Sequence, residues 1–189
     1  MVIESQNSIE KYSGLIVKKG ARLMKEEEIE MHIRGRKFLP IEEAESHVEK
    51  TGKMDIKAMF TIGVLVENSR VNRSKNGKEF CTMKFTDLVK YDILKVKKVL
   101  ETKFKDDKDG LKMAEKSYNS NGYKTFKLMV FNELAHKMSN YQIGTIMGIM
   151  SYKSMPPTTE YGYTFCIDTN SQLFKIGFSE EYAMCKGSS

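Results

Sequence analysis

The chain has 189 residues, 40% of them hydrophobic and 30% charged, with a formal net charge of +6 and a sequence pI near 9.0. That length supports one principal core with room for an elaboration, and no stretch approaches the roughly 20 apolar residues that span a bilayer. The N-terminus has no basic segment followed by an apolar run and a cleavage site, so a soluble intracellular protein is expected, and its positive charge favours a polyanionic partner.

Residues 1–14 are polar with few apolar anchors, which predicts a disordered lead-in. From Glu26 the run Glu-Glu-Glu-Ile-Glu-Met precedes His32, Arg34, Arg36 and Lys37, placing acids early and bases late as a helix dipole favours. Met24, Ile29 and Ile33 recur at helical spacing and Gly35 is the stop. Ile41 to Lys50, after Pro40, reads as a second helix. Residues 15–56 are therefore expected to form a helical extension packed on a main domain spanning 57–189.

Strand character begins at Lys57, where Ala58, Phe60, Ile62, Val64 and Val66 alternate with Met59, Thr61, Gly63, Leu65 and Glu67. Gly63 predicts a sharp bend in that strand. Asn68 to Lys78 is a basic hairpin loop with an Asn76-Gly77 turn, and Glu79 to Thr86 follows as a second strand. Residues 87–122 interrupt the rhythm: Leu88, Ile93, Val96, Val99 and Leu100 suggest a helix, and Asp106 to Gly110 a loop. Tyr123 to Phe131 is a third strand, followed by a short helix around Asn132 to Lys137. Ile143 to Tyr152 is a strand, Pro156-Pro157 a loop, Tyr161 to Asp168 a strand, and Leu173 to Phe178 adds a last one. Three strands, a short helix and two more strands is the order of an OB fold, a five-stranded Greek-key barrel. The expected class is mainly β, with an N-terminal helical extension and a helical insertion between strands two and three.

An OB fold takes nucleic acid across strands two and three, between the loops joining strands one to two and four to five. The first loop carries Arg70, Arg73, Lys75 and Lys78, four bases within nine residues, suited to neutralising phosphates. On strand two, Phe80, Thr82 and Lys84 share one face and Cys81, Met83 and Phe85 the other. The first set is the expected exposed one, because an exposed aromatic ring beside cations suits single-strand binding: the ring stacks on any base while lysines track the backbone. The competing reading makes Phe80 a core residue at a barrel end. Lys127 on strand three shares a face with Thr125, Met129 and Phe131. In the last loop Tyr152, Lys153, Tyr161 and Tyr163 surround the prolines, either as a clamp on the strand or as barrel-rim residues. The lysines of the insertion, Lys90, Lys95, Lys97, Lys98, Lys103 and Lys105, fit a solvated face as well as a DNA contact. The DNA-binding candidates are Arg70, Arg73, Lys75, Lys78, Phe80, Lys84, Lys127, Lys153 and Tyr161. A second class of function, a module that holds partner peptides with little DNA affinity, would use Met129 and Phe131.

Enzyme chemistry finds no support. His32, His47 and His136 stand apart from carboxylates and cysteines at metal-ligand spacing, and no triad or phosphate loop is present. Cys81, Cys166 and Cys185 are odd in number and widely spaced, so reduced thiols are expected. No catalytic residue and no cofactor are assigned to this chain.

Several blocks resemble the internal domain of the minichromosome maintenance protein 10 family across most of residues 12–187. They are Tyr12-Ser13-Gly14-Leu15-Ile16-Val17, Arg34-Gly35-Arg36-Lys37, Phe60-Thr61-Ile62-Gly63-Val64 and Asn76-Gly77-Lys78-Glu79-Phe80. Phe131-Asn132-Glu133, Gly144-Thr145-Ile146-Met147-Gly148-Ile149 and Tyr182-Ala183-Met184-Cys185-Lys186 continue the likeness in order. The resemblance implies a nuclear, non-enzymatic replication scaffold that binds single- and double-stranded DNA and links the replicative MCM helicase to DNA polymerase alpha. It also implies that Cys185 is the first ligand of a zinc finger, cut off here at Ser189, so that zinc belongs to a longer protein. The insertion at 87–122 departs from the family's shorter connection.

Overall fold

The computed structural model describes residues 6–51 and 58–182. Inside the expected lead-in, β1 (Ser8–Ile9) pairs antiparallel with β2 (Ile16–Val17). The Glu10 carboxylate accepts the backbone N–H groups of Tyr12 and Ser13 at 3.0 and 2.7 Å. Residues 6–14 are thus ordered by a short hairpin, where polar composition alone predicts a frayed end. In α1 (Glu26–Ile33) three glutamates occupy the first turn and Ile29 and Ile33, one turn apart, are buried. β3 (Lys37–Phe38) then leads into α2 (Ile41–Thr51), which buries Ile41 and Ala44.

The remaining strands are β4 (Met59–Asn68), β5 (Asn72–Arg73), β6 (Glu79–Thr86), β7 (Phe126–Phe131), β8 (Thr145–Met150), β9 (Lys153–Thr158), β10 (Gly162–Cys166) and β11 (Leu173–Phe178). With β3 they form one nine-stranded mixed sheet of path β11-β8-β4-β6-β7-β10-β9, with β3 beside β4 and β5 beside β6. β7 and β10 run parallel, and the other neighbours on the path are antiparallel. The mainly β class holds, in a sheet larger than five strands and not closed into a ring by hydrogen bonds among the described residues. β8 lies on β4 and β9 lies on β10, yet only Ser151 and Tyr152 separate the two strands in the chain. Ser151 turns that corner at φ 51°, a conformation that non-glycine residues seldom adopt.

Two helices, α3 (Ile93–Lys103) and α4 (Lys108–Glu115), lie between β6 and β7, and α5 (Asn132–Met138) between β7 and β8. The expected loop at Asp106 to Gly110 is instead the start of α4: the Asp107 side chain caps it by accepting the Gly110 N–H at 2.8 Å. The expected loop at Pro156-Pro157 is instead part of β9, which pairs with β10 alone. An edge strand tolerates prolines because its outward N–H groups have no ladder to join. At Gly63 the reason for glycine is close approach: an added Cβ would lie 2.7 Å from Ile41 Cδ1, while the register shift of β4 falls later, between Leu65 and Glu67.

Two apolar clusters flank the sheet. One holds Ile41, Leu65, Cys81, Met83, Phe85, Phe126, Leu128, Val130, Met147 and Ile149. The other holds Leu15, Val17, Ile29, Ile33, Phe60, Ile62, Val64, Ile146, Phe174 and Ile176. Period-two alternation puts β4, β8 and β11 in contact with both, because β2 and α1 cover their second face. β6 and β7 contribute to the first cluster only, which leaves their second face for other work.

Candidate nucleic-acid interface

The site follows from the register of β6 and β7. Inward residues Cys81, Met83 and Phe85 of β6 and Phe126, Leu128 and Val130 of β7 are buried. Alternation therefore turns Phe80, Thr82 and Lys84 outward, and the pairing sets them opposite Phe131, Met129 and Lys127. The face reads as three rungs: an aromatic pair, a Thr–Met pair and a lysine pair. Phe80 is half-buried on that face, not in the interior. Its ring centroid lies 6.5 Å from that of Phe131, and Lys78 Nζ stands 4.2 Å from the Phe131 centroid, a cation–π contact that carries the hairpin loop onto the rung.

At the other end, Glu67, Asn68, Ser69, Thr82, Lys84, Lys127 and Tyr161 line a groove of about 580 Å³. Lys127 is only 9% exposed, and its ammonium donates to the Tyr161 carbonyl. Burial pushes this amine down to about 8, and repulsion from Lys84 and Lys116 adds to the effect. Lys84 is paired with Glu67 at 2.6 Å, so one carboxylate offsets part of the positive charge. Ser69 Oγ accepts the Thr82 N–H at 2.8 Å and fixes the start of the hairpin loop against β6.

The hairpin loop separates its four bases. Arg70 and Lys75 are exposed, and Arg73 binds Glu79 at 3.0 Å across the turn. His136 Nε2 sits 2.7 Å from the same carboxylate, and the two partners, His136 first, hold Glu79 below the usual carboxylate range. Of the tyrosines around the prolines, only Tyr161 lines the groove. Tyr152 is a core residue hydrogen-bonded to Thr61 at 2.7 Å, and Tyr163 donates to Glu49 of α2 at 2.7 Å. Neither is placed to clamp a strand. Lys153 pairs with Asp168 at 2.5 Å, opposite Cys166, which in turn neighbours Met129. The structure thus brings Lys78, Phe80, Lys84, Lys127 and Tyr161 onto one face with Lys153 at its far side, while Arg70, Arg73 and Lys75 stay on the loop. Sequence reasoning missed Phe131 as the partner of Phe80, and Ser69 as the residue anchoring the loop. The register that pairs β6 with β7 is the signal for the first, and it becomes readable only once the insertion is set aside.

Among the described residues no three His, Cys, Asp or Glu side chains gather as metal ligands. Cys81 and Cys166 are free thiols, Cys81 pushed up to about 11 by burial. The expected zinc ligand Cys185 lies outside the described residues. No described helix is long and apolar enough to cross a membrane.

The model of the MCM10 OB-fold matches residues 11–108, just over half of the chain. The chain belongs to the MCM10 OB-fold family. The match runs from the turn between β1 and β2 through β6 and α3 to the first residue of α4, so β7 to β11 complete the sheet beyond it. MCM10 is a replication factor, and its OB fold is a binding domain rather than a catalytic one. A search of curated proteins found no match.

Proposed function

We propose that this MCM10-family domain binds single-stranded DNA across the outer face of β6 and β7. The observation that carries the reading is the set of three rungs: Phe80/Phe131 under Lys78, Thr82/Met129, and Lys84/Lys127 beside Tyr161. Aromatic faces and cations along one groove are what sequence-tolerant single-strand binding requires. In this reading β4, β6, β7 and β10 act with β8 and β9, taken as one strand bent at Ser151, as a five-stranded OB barrel. The hairpin loop with Arg70, Arg73 and Lys75 meets the phosphates on one side, and Tyr161 and Lys153 the other. The cellular role is that of a nuclear, non-catalytic scaffold between the MCM helicase and DNA polymerase alpha, supported by family membership. Double-stranded DNA is the secondary ligand in this reading and Cys185 the first ligand of a zinc finger, both supported by family membership alone. A peptide-binding groove is less well supported, because Met129 is only 7% exposed and neither it nor Phe131 lines the groove.

The test is fluorescence anisotropy with a labelled oligo(dT) at two salt concentrations. Affinity should fall with salt at a log–log slope near 0.7 per phosphate neutralised. Phe80→Ala should cost about 1–3 kcal/mol of binding with little loss of stability. Saturable binding that is indifferent to salt and to Phe80→Ala would refute the assignment.

A further inference from the structure

The helical insertion shares a structural joint with the groove. Lys116, just past α4, donates its ammonium to the Glu160 carbonyl, and Lys127 on β7 donates to the next carbonyl, Tyr161. The loop from Thr158 to Gly162 is therefore held by one lysine from the insertion and one from the groove. Gly162 has φ +70°, and a Cβ there would meet the Met113 carbonyl at 3.0 Å and Lys116 Cβ at 3.2 Å, so α4 seats directly against the base of the loop.

Behind α4 the insertion is tied to α2 by carboxylates. Ser117 Oγ donates to Glu45 at 2.5 Å, and Lys124 lies 3.7 Å from that carboxylate, which is 13% exposed. Lys124 also donates to the Glu42 carbonyl at 3.1 Å, and the Tyr91 hydroxyl donates to the Glu42 carboxylate at 3.0 Å. From the β10 side, Tyr163 reaches Glu49 of the same helix. A continuous set of contacts runs from α2 through the insertion to the loop that carries Tyr161.

We propose that the insertion is a positioning element for the groove: α4 sets the place of the Thr158–Gly162 loop through Lys116 and Gly162, and thereby the place of Tyr161 over the β6–β7 face. Lys116 is a positioning residue that acts through the loop. This rests on the single-strand-binding reading, but the joint itself can be read without DNA.

Three variants test it: Lys116→Met, Lys116→Arg as the conservative rescue, and Gly162→Ala, which leaves every charge in place while crowding the seat of α4. In the free protein, backbone amide exchange at residues 159–162 should speed up in Lys116→Met and Gly162→Ala and stay near wild type in Lys116→Arg, with exchange in β4 and β8 unchanged in all three. Oligo(dT) affinity should fall about fivefold in the first two, the scale of one poorly seated stacking ring. The salt slope of Gly162→Ala should equal that of the wild type. Unchanged loop exchange would overturn the joint. Faster exchange with unchanged affinity would overturn the role of the loop in binding, and weaker binding in Lys116→Met alone, without faster exchange, would make Lys116 a direct phosphate contact. If the wild type fails to bind oligo(dT), the single-strand reading falls, and the exchange data still decide the joint.

Discussion

The β6 strand and the α3 helix make an instructive pair. In β6 every second side chain is sealed in the core, so Phe80, Thr82 and Lys84 are held to one face by Cys81, Met83 and Phe85 beneath them. α3 carries five aliphatic residues, Ile93, Leu94, Val96, Val99 and Leu100, but buries none of its side chains, leaving Leu94 75% and Val99 64% exposed. A site on β6 inherits the rigidity of the core, whereas α3 has its Asp92 cap, which accepts the Leu94 N–H at 3.1 Å, an exposed Lys103–Glu49 ion pair at 3.9 Å, and an open hollow between its inner side and Tyr118. The fixed cations sit on the sheet, and the many lysines of the insertion sit on a support.

The largest effect that would break this contrast is in the core beneath the site. Phe85→Ala removes a fully buried ring and should cost about 3–5 kcal/mol in urea unfolding, with oligo(dT) affinity lost as the face loosens. A cost below about 1 kcal/mol would mean that the inner face of β6 is not packed as described.

A smaller effect concerns protonation of Lys127. Its folded-state value is pushed down to about 8, below that of an unfolded lysine, so the unfolded chain holds the proton more tightly. The charged form costs stability below about pH 8, and that cost fades as pH rises from 8 toward the ordinary lysine value. A bound phosphate favours the charged form, so binding takes up a proton and oligo(dT) affinity should fall as pH rises through 8, by at most about tenfold per unit for one linked proton. Lys127→Arg should flatten the profile between pH 7 and 9, because arginine stays charged. A pH-independent wild type in that window would remove Lys127 from the contact.

The smallest expected change sharpens the comparison from the other side. Leu94→Glu on α3 should alter stability by no more than about 0.5 kcal/mol, measured by the same urea titration, and leave DNA affinity nearly unchanged.

Much of this was legible in the sequence where local chemistry decides it. Alternation alone gives the two faces of β6, and the acidic first turn and the Ile29/Ile33 spacing give α1. Residues whose roles depend on distant partners were misread. Tyr152 looks like a loop tyrosine until β4 brings Thr61 to its hydroxyl, and Pro156 and Pro157 look like a loop because sequence does not show which strand will be an edge. Asp107 and Gly110 carry the composition of a turn, yet the pair is a helix cap in which the small residue makes room for the aspartate. The groove was found through its β6 half, whereas Phe131 needed the cross-strand register that the insertion hides.

The most direct measurement is an NMR titration of the isotope-labelled chain with oligo(dT). Amide shifts should concentrate at residues 78–84, 127–131 and 159–162 and leave α3 unmoved. Shifts centred on Lys95 to Lys103, with the Phe80/Phe131 rung silent, would place the DNA on the insertion and contradict the account.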